Sequence, residues 1–218
     1  MNTKGFIFDL DGVIVDTAKY HYLAWKKLTD ELGIYFDETL NEQLKGVSRK
    51  DSLTKILAWG NITLSDDEFL RQMTLKNNNY LAYINTMKAD EILPGVVTIL
   101  KFLKKVNQPI ALGSASKNAR SILKKVNLLE MFTTIIDGND VSIAKPNPEV
   151  FLKAAQGLQI KPEDCIVFED SVAGIEAANS AGMTTIGIGN QEILHKANVV
   201  FNDFTEIRIE FIEELIKK

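Results

Sequence analysis

Past Leu93-Pro94-Gly95 the sequence alternates short apolar runs with helical segments, and that alternation leaves few folds open. A helix over 96–105 precedes Ile110-Ala111-Leu112-Gly113, and a helix over 118–126 precedes a short strand over 134–136. A helix over 148–157 then leads to Ile166-Val167-Phe168, and a helix over 172–181 to Thr185-Ile186-Gly187-Ile188. Parallel strands need crossover connections, so this order predicts an α/β fold with a parallel sheet and helices on both faces. The opening run Gly5 to Leu10 is almost wholly apolar, which suits an inner strand of that sheet, covered on both sides.

From Thr17 to about Met87 the strand signal is absent. Tyr20, Ala24, Leu28 and Leu32 recur at helical spacing, and Gly33 is a good stop. Leu53, Ile56 and Leu57 mark a second helix ended by Gly60, and Ser65-Asp66-Asp67-Glu68 reads as a capping box opening a third. Asn77-Asn78-Asn79 are poor helix formers, so the stretch from Leu75 to Ile84 has room for a break. The simplest organisation is discontinuous: residues 1–15 and 89–218 form the α/β core, and residues 16–88 are inserted as a helical cap.

A chain of 218 residues, 45% hydrophobic, can bury a substantial core. Its net charge of −4 argues against nucleic acid as the main partner, because phosphate-backbone binding is driven by clustered Lys and Arg. Cys165 is the single cysteine, which excludes an internal disulfide and fits a reducing cytoplasm. No signal-peptide pattern opens the chain, and no apolar run approaches the roughly 20 residues of a membrane span. The expectation is a soluble cytoplasmic protein with neither nucleic-acid nor membrane partners.

Polar residues collect at the C-terminal ends of the apolar strands, where open α/β sheets bind ligands. Asp9 and Asp11 close the first strand. An Asp11-Gly12 turn explains Asp11 but leaves Asp9 at the end of a buried strand, where an uncompensated charge would cost several kcal/mol. Ser114-Ala115-Ser116-Lys117-Asn118 leads into a helix and reads either as a phosphate cradle or as a plain Ser/Asn helix cap. Ala144-Lys145-Pro146-Asn147-Pro148 reads alone as a solvated loop. Glu169-Asp170-Ser171 ends another strand in paired carboxylates. Such pairs raise each other's pKa unless a cation intervenes, and an all-oxygen set suits Mg²⁺ better than zinc.

Asp9-Leu10-Asp11-Gly12-Val13, Ser114, Lys145-Pro146 and Glu169-Asp170 resemble, in order, the four motifs of the haloacid dehalogenase superfamily, in its phosphate-transferring Asp-x-Asp form. Each motif is weak alone; four in order are specific. The resemblance covers the whole chain and implies a Rossmann-like core, strand order 3-2-1-4-5, with an inserted cap. It narrows to the β-phosphoglucomutase family on Asp16 to His21, Asn41 to Arg49, Asp51-Ser52-Leu53, Lys76-Asn77 and Ser114 to Asn118.

That resemblance implies an isomerase interconverting β-D-glucose 1-phosphate and glucose 6-phosphate through an aspartyl phosphate and β-D-glucose 1,6-bisphosphate. It implies Asp9 as nucleophile, Asp11 as general acid/base, and Ser114 and Lys145 as the cage around the transferred group. One Mg²⁺ per subunit would be held by Asp9, the Asp11 carbonyl, Asp170 and Glu169, the last directly or through water. Arg49 is implied as the clamp for the second phosphate, with Ser116, Lys117 and Asn118, while Gly46, Val47, Ser52 and Ala115 contact substrate. His21 and Lys76 are implied to couple cap closure to placement of Asp11, and Thr17 to anchor Asp11 in its open-state position; from the residues alone, His21 reads equally well as a half-buried helical histidine. A cis Lys145-Pro146 peptide and a monomeric state complete the expectation. The alternative is a Mg²⁺-dependent sugar-phosphate phosphatase of the same superfamily. A non-catalytic sugar-phosphate sensor is disfavoured, because all four motifs are intact.

Overall fold

Residues 3–45 and 47–217 are described by a computed structural model. The chain divides into two compact units, Thr17–Met87 and Met1–Asp16 with Lys88–Lys218. The first contains α1 (Ala18–Glu31), α2 (Glu38–Glu42), α3 (Arg49–Trp59) and α4 (Asp66–Ile84), and no strand among its described residues. Trp25, Leu28, Ile34, Phe36, Leu53, Ile56 and Leu57 form its core. The short α2 escaped sequence reading; Asp37 starts it by accepting the Leu40 N–H at 2.9 Å. Ser65 caps α4 by accepting the Glu68 N–H at 3.3 Å.

α4 runs unbroken through Asn77-Asn78-Asn79, so the break allowed for by those residues does not occur. Gln72, Lys76, Tyr80 and Ile84 recur every four residues on its buried face, and α4 packs along α1. Each asparagine costs at most about 0.7 kcal/mol against alanine, less than a buried helix face contributes.

In the other unit, β1 (Gly5–Phe8), β2 (Ile110–Gly113), β3 (Thr134–Ile136), β4 (Cys165–Glu169), β5 (Thr184–Ile188) and β6 (Val199–Phe201) form one sheet. Every pairing is parallel and the order is β3-β2-β1-β4-β5-β6. The first five follow the expected order. β6 is an unforeseen addition at the edge, three half-buried residues too short to announce a strand.

The helices of this unit are α5 (Val96–Lys105), α6 (Ala119–Lys125), α7 (Glu149–Leu158), α8 (Val172–Ser180) and α9 (Ile209–Lys217). Side chains alternate across the sheet as the pleat requires. Ile7, Ala111, Cys165 and Val167 pack with Phe151 and Ala154 of α7 and Ala177 and Ala178 of α8. On the opposite face Phe8 stacks on Phe168 with ring centroids 4.6 Å apart, and both meet Phe204. Burial on both faces is why β1 has no polar residue. Val15 bridges Ile92, and Ile14 accepts the Leu93 N–H at 3.0 Å, so the segments flanking the helical stretch pair beside β1.

Candidate active site

The register of the sheet brings three strand ends together. Phe8 is level with Leu112 and with Phe168, so the next residues, Asp9, Gly113 and Glu169, share the C-terminal edge. The Asp9 N–H continues the ladder to the Phe168 carbonyl at 3.0 Å. Its carboxylate is buried and faces Lys145, whose Nζ lies 2.6 Å from Asp9 Oδ1 and 2.6 Å from Glu169 Oε1. The ammonium also lies 4.7 Å from the centre of the Phe151 ring. Lys145 is therefore no solvated loop residue. Glu149 holds its loop by accepting the N–H groups of Ser142 and Ile143 at 3.0 and 2.8 Å. The Lys145–Pro146 peptide is cis, as expected.

Two buried carboxylates share one ammonium. Burial pushes the Asp9 carboxyl up to about 7; Lys145 opposes that, and Glu169 and Asp11 add to it. For Lys145, burial alone would lower the pKa, but Asp9 and Glu169 outweigh it and hold the lysine charged, above its ordinary range.

The turn after β1 presents Asp9 from a second side. The Asp11 N–H donates to Asp9 Oδ2 at 3.0 Å. Gly12 has φ of 79°, in the left-handed region, and a Cβ there would overlap the Asp170 carboxylate. Asp170 thus lies against the Asp9–Gly12 turn, and only glycine permits that approach. These oxygens fit a small hard cation: two side-chain carboxylates, a nearby carbonyl and a buried excess of negative charge. Among the described residues no three His, Cys, Asp or Glu side chains make a closed metal cage.

Glu169 is engaged elsewhere. Its Oε1 takes Lys145, and its Oε2 accepts the Ser171 N–H at 2.7 Å and the Ser171 hydroxyl at 3.0 Å. Ser171 is the residue that sequence reasoning passed over; as a serine opening a helix directly after paired carboxylates, it could have been noticed. It also caps α8 by accepting the Gly174 N–H at 3.1 Å.

Ser114 is buried beyond the end of β2, its N–H on the Ile136 carbonyl at 3.0 Å. Its hydroxyl accepts the Ser116 N–H at 3.1 Å, and the Ser116 hydroxyl accepts the Asn118 N–H at 3.3 Å. Helix-capping chemistry is therefore present in part, but it curls the loop ahead of α6. Ala115 and Lys117 are half-buried or exposed in the same loop.

The other predicted residues lie in the helical unit. Lys76 is buried; its Nζ lies 2.9 Å from His21 Nδ1 and 4.5 and 4.8 Å from the rings of Trp25 and Tyr80. Burial, then Lys76 and Arg49, hold His21 well below its ordinary pKa, so it is neutral and its Nδ1 accepts from Lys76. Arg49 opens α3, and burial lowers its pKa. Ser52 is buried one turn later, with its N–H on the Ser48 carbonyl at 2.8 Å. Thr17 is buried at the start of α1, and the Val47 N–H donates to the Leu44 carbonyl at 3.2 Å. Gly46 lies outside the described residues. Cys165 is a core residue, and burial pushes its thiol up to about 12. No helix among the described residues is long and apolar enough to cross a membrane.

The geometry thus joins a strand-end aspartate, a buried lysine and a second aspartate at one edge of the sheet. The haloacid dehalogenase-like hydrolase model matches residues 3–182. The chain is 39% identical to the β-phosphoglucomutase of Bacillus subtilis over 97% of its own length and 94% of the relative's. A crystal structure of β-phosphoglucomutase from Clostridium difficile superposes with a TM-score of 0.94 at 44% identity, covering 99% of this chain and 97% of that one. A phosphorylated carbohydrates phosphatase of Thermotoga maritima is 29% identical, over 84% and 83% of the two chains. The chain belongs to the haloacid dehalogenase-like hydrolase family. Within that family its similarity runs most strongly, among these relatives, to the β-phosphoglucomutases.

Proposed function

We propose that this protein is a β-phosphoglucomutase, an isomerase that interconverts β-D-glucose 1-phosphate and D-glucose 6-phosphate through β-D-glucose 1,6-bisphosphate. The observation that carries the reading is the 39% and 44% identity to β-phosphoglucomutases over nearly the whole chain, helical unit included. The site geometry supports the chemistry.

Asp9 is the nucleophile. Lys145 on Oδ1 and the Asp11 N–H on Oδ2 hold its carboxylate in one orientation, which removes rotational freedom before attack on phosphorus. Asp11 is the general acid/base: its carboxyl gives a proton to the departing sugar oxygen and recovers one from the attacking hydroxyl. Lys145 and Ser114 offset the charge that develops on the phosphoryl oxygens. Mg²⁺ would be held by Asp9, the Asp11 carbonyl and Asp170, with Glu169 acting through water, and would neutralise phosphate oxygens so that an anion can attack them.

A mutase must also hold the substrate's second phosphate. On the helical unit that role falls to Arg49, whose planar guanidinium suits bidentate phosphate binding, with the Gly46-Val47 backbone and Ser52 as sugar contacts. On the α/β unit it falls to Ser116, Lys117 and Asn118, with Ala115 contributing backbone. The neutral His21 held by Lys76, and the buried Thr17, are fixed elements that tie substrate binding to proton transfer by Asp11. The protein acts on small sugar phosphates, and we place it in the cytoplasm as a monomer.

The test is direct. The protein is incubated with Mg²⁺, β-glucose 1-phosphate and a trace of the bisphosphate, and products are followed by phosphorus NMR. Glucose 6-phosphate is the expected product. Net inorganic phosphate would make the protein a sugar-phosphate phosphatase instead.

A further inference from the structure

The loop over 114–118 has little to hold it in shape by itself. The hydrogen bonds that the Ser114 and Ser116 hydroxyls accept are local, and the α6 helix that follows has only seven residues. The tethers come from the turn that ends β3. The Gly138 N–H donates to the Ser116 carbonyl at 3.2 Å, and Asn139 Nδ2 donates to the Lys117 carbonyl at 3.0 Å. A Cβ on Gly138 would overlap the Ala115 carbonyl oxygen and reach Lys117 Cγ at 3.0 Å. Three successive peptide units of the loop are thus met by two residues of the turn.

The turn is itself built for that task. Asp137 is buried, and its Oδ1 accepts the Asn139 N–H at 2.8 Å and Nδ2 at 2.9 Å. One amide hydrogen of Asn139 is therefore spent on Asp137, which aims the other at Lys117. The second oxygen, Asp137 Oδ2, pairs with Arg120 Nε at 3.2 Å. Asp140 Oδ2 takes the Asp137 N–H at 2.9 Å and Arg120 Nη2 at 3.3 Å, and Arg120 Nη2 also donates to the Ile135 carbonyl at 2.7 Å. Arg120 lies in α6, just past the loop, so the same turn grips the loop along its length and at its exit.

We propose that the Asp137–Asp140 turn positions the 115–118 loop for the substrate's second phosphate, with Gly138 and Asn139 as positioning residues. A hydrogen-bonded carbonyl fixes its peptide plane, and two consecutive fixed planes set where the Ser116, Lys117 and Asn118 side chains point. A phosphate oxygen discriminates such directions because hydrogen bonds weaken steeply off-axis. The inference rests on the reading of Ser116, Lys117 and Asn118 as a phosphate-binding loop.

Asn139→Ala is the cleanest variant, because it removes the donor to the Lys117 carbonyl without placing a second carboxylate against buried Asp137, and it changes an exposed residue. The KM for β-glucose 1-phosphate should rise by about tenfold. Phosphorylation of Asp9 by acetyl phosphate, a donor with no second phosphate, should stay within about twofold in acid-quenched single turnovers. Gly138→Ala should act in the same direction and more strongly, since its Cβ must displace backbone. If that variant does not fold, Asn139→Ala decides alone. Unchanged KM in the folded variants, or an equal fall in both reactions, would overturn the assignment. Wild-type enzyme that releases inorganic phosphate would instead overturn the mutase reading, so the two failures are distinct.

Discussion

Each unit of the molecule buries a lysine, and the two are held by different physics. Lys145 of the α/β unit lies between the carboxylates of Asp9 and Glu169, 2.6 Å from each. Lys76 of the helical unit lies against neutral His21 and the faces of Trp25 and Tyr80. The first arrangement stores opposed charges at the point where a phosphoryl group must be accepted. Asp9 and Glu169 hold its lysine charged, and burial pushes the Asp9 carboxyl up to about 7. The second arrangement sets the lysine against aromatic faces and suppresses the charge of its histidine. A charge-paired lysine serves chemistry in which charge changes; an aromatic-boxed lysine serves to hold a neighbour in one protonation state.

The largest effect expected from breaking this contrast is at Asp9. Asp9→Asn should lower mutase turnover by about 10⁴-fold or more and abolish the acid-stable phosphoryl-enzyme, because the nucleophile is gone while the shape is kept. Lys145→Ala comes next. Turnover should fall by about 10²- to 10³-fold, and the folded state should weaken by about 3–5 kcal/mol, since two carboxylates remain buried without their cation. The loss of stability should be greater at pH 8 than at pH 5, because Asp9 can then no longer escape by protonation. Denaturant titrations at both values check it; equal losses would mean that Lys145 does not counter the Asp9 charge.

Arg49→Ala should cut mutase activity by about 10²-fold while phosphorylation of Asp9 by acetyl phosphate changes little. Parallel loss would remove Arg49 from the second-phosphate role. The pH dependence of stability in EDTA is a smaller effect. The folded protein keeps on Asp9 a proton that the unfolded chain releases between its ordinary carboxylate value and about 7. The folded state therefore binds more protons in that window, and stability falls as pH rises through it. Mg²⁺ should offset the fall, and Asp9→Asn should flatten it; a slope that persists in that variant would assign it to another group. The smallest effect is on the helical side. In Lys76→Met the His21 pKa should rise toward the ordinary histidine value, seen in the pH titration of its ring protons by NMR.

Much of this was legible in the sequence. The strands at 110–113 and 134–136 and the helix at 96–105 have the bounds their patterns imply, since apolar runs bounded by turn residues leave little choice. β6 and α2 were missed, being too short to show a period. The site was legible as residue types in order, and a resemblance was needed to join them. Lys145-Pro146 looks like an exposed loop until the fold buries it, and nothing in Glu169-Asp170-Ser171 says that Ser171 occupies Glu169. Nor does Asp137-Gly138-Asn139-Asp140 read as anything beyond a turn until its hydrogen bonds to the 116–117 carbonyls are seen.

What the sequence alone determined is the order of the strands' chemistry: apolar runs that must be buried, several of them ending in a residue that cannot be buried unpaired. That follows from the local cost of placing charge in apolar surroundings, which any chain pays at once. Only the tertiary structure decided which charges meet. Lys145 is 136 residues from Asp9 and 24 from Glu169 in the chain, and parallel register alone brings those strand ends level. Whether a lysine is paired by carboxylates or boxed by rings depends on neighbours supplied from afar, and spacing along a chain does not encode them.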